Sequence, residues 1–419
     1  MKGNFSQNMC IWSLIIMLFI PLCGQAQQTA EFQTYKGTVI DSNSGNALAF
    51  AAIHIEGTNY TTVSNKEGEF SIKYASDPGD VMITIQFIGY KSKQLKLSEL
   101  KADKVKVELT PTAVELPEVS VISKDAETLV TGMFEKRGQN YAATEEHLTA
   151  FYRETIRKNR TYASLSEAVV DVYKQPCLSY KSDIVSIYKS RKKTDYNKVD
   201  TLVFKLMGGP FNNLYLDLMK HPEMIFTEKM LENYDFTFDR STRIGKRLIY
   251  VVDFIQQKHI QEPLYYGKLY IDAQSLALKS ATFKLNFKNK DAASMFIVKK
   301  PNNAEIIPTE ASYRVDFIEK DNKWYFGYSR IELGLRIKWK KKLFDSNFYS
   351  TIELAVTDKD KLSNGNTIAR NQRIRPSVVI TDEASGFADP EFWGELNVIE
   401  PEKPIETAIR KIQRQLERK

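Results

Sequence analysis

The sequence predicts a mainly β protein: a small antiparallel sandwich first, then a larger antiparallel β domain packed by a few helices. Three observations carry this. Over residues 35–90 apolar and polar residues alternate, so that Val81, Ile83, Ile85 and Phe87 share one strand face while Thr84 and Gln86 take the other. Turn-forming clusters interrupt the alternation at short intervals, at Asn43-Ser44-Gly45, Asn65-Lys66-Glu67-Gly68 and Asp77-Pro78-Gly79. From Phe151 onward the same two-residue period returns as one long meander.

Taken in order, the 419-residue chain opens with a targeting signal at residues 1–26. Lys2 supplies a positive start, residues 11–22 an apolar run, and Gly24-Gln25-Ala26 small residues for cleavage after Ala26. The apolar run is short of the roughly 20 residues that a spanning helix needs. Lipid attachment at Cys23 is disfavoured by the bulky Leu22 before it. Export of the chain is the consequence. Losing Lys2 with the leader leaves 58 basic against 52 acidic residues, a mild and scattered excess. Cys10 and Cys23 leave too, so Cys177 stands alone and no internal disulfide forms.

Residues 27–34 read as a polar lead-in and 35–122 as the sandwich, with Val105, Val107 and Leu109 on its last strand. Pro111 and Pro117 then argue for an extended connector or edge strand. Residues 123–150 form a helical connector in which Leu129, Val130, Met133 and Phe134 recur at helical spacing and Asn140-Tyr141 ends the helix. In the β domain, 151–400, strands are expected at 151–158, 162–174, 184–193, 199–206, 234–239, 247–255, 265–271, 276–287, 313–318, 323–339 and 347–356. A short helix at 212–219 would bury Leu214, Leu218 and Met219. Asp272-Ala273-Gln274-Ser275 and Glu319-Lys320-Asp321-Asn322 suit hairpin turns. The chain closes with an amphipathic helix at 401–419, its stripe made by Ile405, Ile409, Ile412 and Leu416. Glu402 and Glu406 near its start and Arg414, Arg418 and Lys419 near its end match the helix dipole. Packing on the sheet is the default for such a stripe; a partner or a membrane surface is the alternative.

Gly37, Val39, Asp41, Gly45, Leu48, Ala51, Ile53, Gly57-Thr58, Thr62, Ser64-Asn65, Gly68, Phe70, Gly79-Asp80 and Phe87-Ile88-Gly89-Tyr90 form a recognisable pattern, closed by Leu116-Pro117-Glu118-Val119. With these residues the module resembles the carboxypeptidase-regulatory-like domain, a seven-stranded transthyretin-like sandwich common at the N-terminus of exported Bacteroidetes proteins. The resemblance implies an envelope setting, periplasmic or outer-membrane associated, and partners such as a complex of the TonB-dependent receptor type. The stretch around Gly267-Lys268-Leu269-Tyr270-Ile271-Asp272 is similar to the curved half-barrel of periplasmic lipoprotein carriers, which implies an apolar ligand. Phe151-Tyr152-Arg153-Glu154 and Phe392-Trp393-Gly394-Glu395 resemble segments of uncharacterised proteins that carry the same module.

No stretch announces chemistry. His259-Ile260-Gln261-Glu262 has the spacing of a zinc-peptidase pair, but no histidine follows to act as the third ligand that catalytic zinc requires. His54, His147 and His221 are isolated; His147 falls in a helix-to-strand connection and His221 precedes Pro222. Cys177 has no base beside it, and no nucleophile elbow or phosphate-binding glycine loop occurs. Glu145-Glu146 and Asp358 with Asp360 sit in polar, turn-like stretches that read as solvated surface. Arg191-Lys192-Lys193 ends a strand, and Arg336, Lys338 and Lys340 share one strand face. A charged outer face explains both runs; an anionic envelope surface is the sharper alternative, and nucleic acid does not suit an exported chain. Lys279, Lys284 and Lys288 and the charged final helix argue against a membrane barrel.

The expectation is therefore an exported, non-catalytic protein that binds or assembles, with no catalytic, cofactor or metal residues to assign. A lipid carrier and a hydrolase assembled only in three dimensions are the rivals. An apolar cavity near Gly267 would favour the first, and carboxylates gathered with His221 or His259 the second.

Overall fold

The computed structural model describes residues 32–101, 105–112, 125–194, 207–226, 231–287, 304–340, 345–360, 368–384, 392–407 and 409. The leader with Cys23, most of the lead-in, the Leu116-Pro117-Glu118-Val119 segment, the strand expected at 199–206, Lys288, Ile412 and Leu416 lie outside these residues.

Alternating burial builds the sandwich from seven strands: β1 (Phe32–Asp41), β2 (Ala52–Ile55), β3 (Thr61–Val63), β4 (Glu69–Ala75), β5 (Met82–Gln86), β6 (Lys93–Lys96) and β7 (Lys106–Leu109). They form two sheets, β4-β1-β7 and β3-β2-β5-β6. Tyr35, Val39, Ile53, Ile55, Phe70, Ile83, Ile85 and Val107 fill the space between them. Two expectations need correction. The lead-in is already strand from Phe32, which pairs with Ala75. The sandwich is not wholly antiparallel either: β7 runs parallel to β1. It reaches β1 from the opposite sheet rather than through a hairpin, and only a hairpin forces antiparallel pairing. At the turn before β4, Gly68 has φ +75° and a Cβ there would stand 2.4 Å from the Val39 carbonyl oxygen, so no other residue fits.

Eleven further strands make one open antiparallel sheet. They are β8 (Glu146–Lys158), β9 (Thr161–Lys174), β10 (Ile184–Thr194), β11 (Tyr234–Phe238), β12 (Thr242–Ile244), β13 (Arg247–Gln256), β14 (Tyr265–Asp272), β15 (Leu278–Leu285), β16 (Ala304–Lys320), β17 (Lys323–Trp339) and β18 (Ser346–Asp360). Their order is β10-β9-β8-β18-β17-β16-β15-β14-β13-β11, with β12 also on β13. Because β18 returns beside β8, the meander flanks the first three strands without closing on itself. The β16–β17 turn has Asp321 and Asn322 at φ 52° and 60°, the positive values of a tight two-residue hairpin.

Three strands outrun their expected limits by several residues. β8 begins at Glu146, inside the expected connector. β18 reaches Asp360 across a register shift between Val356 and Asp358. β16 begins at Ala304 rather than Tyr313, although Pro308 lies within it. A register shift between Pro308 and Glu310 accommodates the missing N–H.

The two faces of this sheet bury different things. On one, Ala150, Tyr152, Val170, Phe254, Leu269 and Phe283 pack under helix α1 (Ala126–Glu135) and the segment 207–226. Asp125 caps α1 by accepting from the Glu127 and Thr128 amides, both at 3.2 Å. Leu214, Leu218 and Met219 are buried as expected, though the helix there is α2 (Pro210–Leu214), ending five residues sooner than 219. The other face carries the sandwich and the C-terminal segment, with Phe151, Val169 and Tyr328 against Val63, Trp393 and Ile399. Residues 403–407 are helical, and Ile405 is buried on Leu165. Among the described residues no helix is long and apolar enough to cross a membrane.

Candidate functional site: the cavity between sandwich and sheet

The sandwich meets the large sheet along two seams. The first is made by the module's own Phe87-Ile88-Gly89-Tyr90 run. The Gly89 amide donates to the Arg243 carbonyl at 2.8 Å, and Tyr90 bridges to Ile244 of β12. The Tyr90 hydroxyl donates to Asp41 at 2.7 Å. Burial and that carboxylate push the Tyr90 pKa up to about 12, so the bond stays donated at any physiological pH. The second seam is the tip of the β2–β3 hairpin. Asn59 donates to the Lys359 carbonyl and accepts from the Lys320 ammonium, and the Thr61 hydroxyl donates to the Val356 carbonyl at 2.6 Å.

Between the seams lies a cavity of about 1420 Å³. His54, Glu56, Thr84, Gln86 and Gln94 form its sandwich wall, and Arg247, Ile249, Lys279, Ile318, Trp324 and Tyr325 belong to the sheet side. Strand alternation puts this wall where it is: Ile53 and Ile55 are buried in the sandwich core, so His54 and Glu56 face outward into the gap.

Its electrostatics are lopsided. Seven cations line it (Lys91, Arg243, Lys246, Arg247, Lys279, Lys320 and Lys359) against two carboxylates, Glu56 and Glu319. Arg247 is held by Asp272 and Glu319, both at 3.2 Å, and Lys359 by Glu146 at 2.5 Å. Burial lowers the Lys359 pKa and raises that of Glu146, so desolvation outweighs their attraction. Burial also holds the Lys279 amine down to about 8, Asp316 opposing and Arg314 reinforcing the effect; its Nζ donates to the Phe317 carbonyl. Burial raises the Glu56 carboxyl, but Thr84, His54 and Gln94 outweigh it and leave the group below its ordinary range.

Of the residues weighed in the sequence, His54 is in this cavity, 3.1 Å from Glu56. His147 lies within β8 rather than a connection, 3.5 Å from Asp171. His221 stands 3.2 Å from Glu223 and against the Tyr215 ring. His259 and Glu262 are exposed in the β13–β14 loop. Among the described residues no three His, Cys, Asp or Glu side chains gather as metal ligands would. Cys177 donates to the Met219 carbonyl at 3.3 Å, and burial, with Asp217 beside it, pushes its thiol up to about 12. That thiol is protonated at neutral pH.

Three readings of charged residues are corrected. Glu146 is buried in its pair with Lys359, whereas Glu145 is exposed. Asp358 sits inside β18, not in a turn, as does its terminal residue Asp360. Arg191 is internal, 2.7 Å from Glu167 and over the Trp393 ring, and Lys192 donates to the Thr381 carbonyl. Arg336, Lys338 and Lys340 are exposed together as expected.

One cluster joins residues far apart in the chain and carries no local signal. Arg153 reaches Glu167 at 2.7 Å, Glu353 at 3.3 Å and the Ile399 carbonyl at 2.8 Å, and Arg330 adds Glu353 and Glu402. Phe151 meets Trp393 edge-on at 5.6 Å, so the two segments singled out for their resemblance are packed on each other.

Solved structures similar to this chain include a DUF1329 family protein from Desulfovibrio piger, with 8% identity and a TM-score of 0.25 over 58% of this chain and 96% of that one. A LolA superfamily protein from Nitrosomonas europaea has 8% identity and a TM-score of 0.21 over 56% of this chain and 95% of that one. Lipovitellin has 7% identity and a TM-score of 0.24 over 55% and 26% respectively. No curated protein matches the chain in sequence. Residues 35–121 match the family model of the CarboxypepD_reg-like domain, so the resemblance read from the module's glycines and its Phe87-Ile88-Gly89-Tyr90 run holds for that part of the chain.

Proposed function

We propose that this is a non-catalytic binding protein of the cell envelope, exported by its first residues, which takes its ligand between the sandwich and the large sheet. The carrying observation is the 1420 Å³ cavity walled by both parts of the chain. Ligand pockets for small molecules run to about 300–1,000 Å³, so there is room for a larger molecule or for one end of a polymer. On this reading the sandwich is half of the site as well as an adaptor to a larger envelope complex. The histidines stand on separate elements, and the Cys177 thiol, pushed up to about 12, donates to the Met219 carbonyl; both features favour binding over hydrolysis.

A second reading, a carrier of an apolar ligand, is favoured by a hollow of about 570 Å³ at Gly267 that is lined by Phe254, Phe283 and Tyr313. Asp253, Lys268, Lys284, Glu310 and Glu332 also line it, which suits an amphipathic molecule better than a bare hydrocarbon chain. Native mass spectrometry of the protein purified from its own envelope separates these readings. A bound mass lost on Gln86→Trp, which narrows the cavity, and kept on Tyr266→Asp supports the first. The reverse pattern supports the carrier and sinks the cavity.

A further inference from the structure

The cavity's charge goes further than its volume. After the internal pairs are set aside, Lys91, Arg243, Lys246 and Lys320 have no carboxylate partner among the described residues. They come from both sides of the gap. Lys91 follows the sandwich's Tyr90, Arg243 and Lys246 flank Gly245 at the first seam, and Lys320 sits at the second. Where Arg243 does bond, it donates to the Lys246 carbonyl at 3.4 Å, leaving its charge uncompensated. The remaining acid of the wall, Glu56, is already occupied by Thr84, Gln94 and His54.

Concentrating like charges around one gap is unfavourable by itself, since each cation raises the free energy of the others. A surface of mixed charge would place carboxylates among them, as the chain as a whole does with 52 acids for 59 bases. Opposite charge brought in by a ligand removes the repulsion, and it does so best when two or more groups arrive together and reach both seams. Trp324 is buried, and the Lys359 ammonium lies over one face of the Tyr325 ring at 3.1 Å.

We infer that the cavity takes an anionic ligand bearing two or more carboxylate or phosphate groups, gripped by Lys91 on the sandwich and by Arg243 and Lys246 on the β12 hairpin. The inference rests on the cavity being the binding site. Carboxylate and phosphate could be presented by an acidic saccharide or by a lipid headgroup, and the probes distinguish these.

The test is isothermal titration of the full mature chain with trigalacturonate, with inorganic pyrophosphate, with phosphatidylglycerol vesicles and with uncharged maltotriose. Binding of trigalacturonate or pyrophosphate, falling as salt is raised, is expected, with at least a tenfold loss in Arg243→Glu/Lys246→Glu. Lys91→Glu lies on a different element, is exposed, and gives the same loss if the double variant fails to fold. Binding to vesicles but to neither soluble anion assigns the groups to a headgroup. Maltotriose binding as well as trigalacturonate, or charge reversal without effect, overturns the inference. If anions fail while an envelope-derived mass still depends on Gln86, the anionic ligand is wrong and the site survives.

Discussion

Glu154 is 3% exposed, and its bonded neighbour is the Tyr152 hydroxyl at 2.8 Å, with no cation paired to it among the described residues. Burial pushes its pKa up to about 7 even though Tyr152 pulls the other way. Between the ordinary carboxyl range and pH 7 the folded chain keeps this proton and the unfolded chain releases it. Stability from this group is therefore present at low pH and lost as pH rises through that window, by about 3 kcal/mol in full. Glu154→Gln should stabilise the chain more at pH 8 than at pH 5 in urea denaturation; an equal effect at both would show that the carboxyl is not buried as described. The contrasting case is Glu167, also buried, where Arg153 and Arg191 outweigh desolvation and keep the pKa low. Two glutamates on adjacent strands of one sheet thus differ in sign, because one faces cations and the other faces a hydroxyl. Period-2 reading puts Glu154 on the face of Tyr152 and Ile156, and Glu167 on the face of Leu165 and Val169, but does not give what stands opposite them.

At the scale of elements, the turn between β3 and β4 is the sharpest test of local chemistry. Asn65 accepts from the Glu67 amide at 3.0 Å and the Glu69 amide at 2.9 Å, which folds the chain back so that Gly68 lies under Val39. Gly68→Ala brings a methyl group onto a carbonyl oxygen at positive φ, and a loss of about 2–3 kcal/mol is expected in chemical denaturation. A change under 0.5 kcal/mol would mean that the backbone there relaxes freely. Such turns were legible in advance because they are local: the side chain and the amides it satisfies are two to four residues apart. The ends of β8, β16 and β18 were not. Their extra residues are paired by residues distant in sequence, and partnership of β8 with β9, of β16 with β17 and of β18 with β8 overrides a weak local pattern. The first half of β16 is the clearest example, since Pro308 reads as a break until β17 lies alongside it.

Across the whole molecule, the sandwich is held to the sheet by Phe50 as well as by the two seams. Phe50 has φ 64°, a strained value for a bulky residue, and its ring stacks on Tyr328 at 5.7 Å between Arg314 and Arg330. The strain persists because packing and cation–π contacts over-determine it. Phe50→Ala keeps its Cβ at the positive φ, and so keeps the strain, but loses the ring that over-determines it. The expected result is a calorimetric trace that divides into two transitions, sandwich and sheet, where the native chain gives one. A single unshifted transition would show that the seams alone couple the two. If the cavity is the binding site, the same variant weakens ligand affinity without touching a ligand contact.

The sequence by itself determined the β character, the sandwich and its module, the hairpin turns and the burial of α1's apolar face. Each of these rests on alternation, helical spacing or turn residues within a few positions of one another. The seam between Gly89 and Arg243, the burial of Arg191 in place of a solvated basic run, and the meeting of Phe151 with Trp393 were decided only by tertiary structure. So was the cavity with its excess of cations. Its charges are drawn from positions 91, 243, 246 and 320, and a concentration of charge in space leaves no trace in composition when the residues that make it are scattered along a nearly balanced chain.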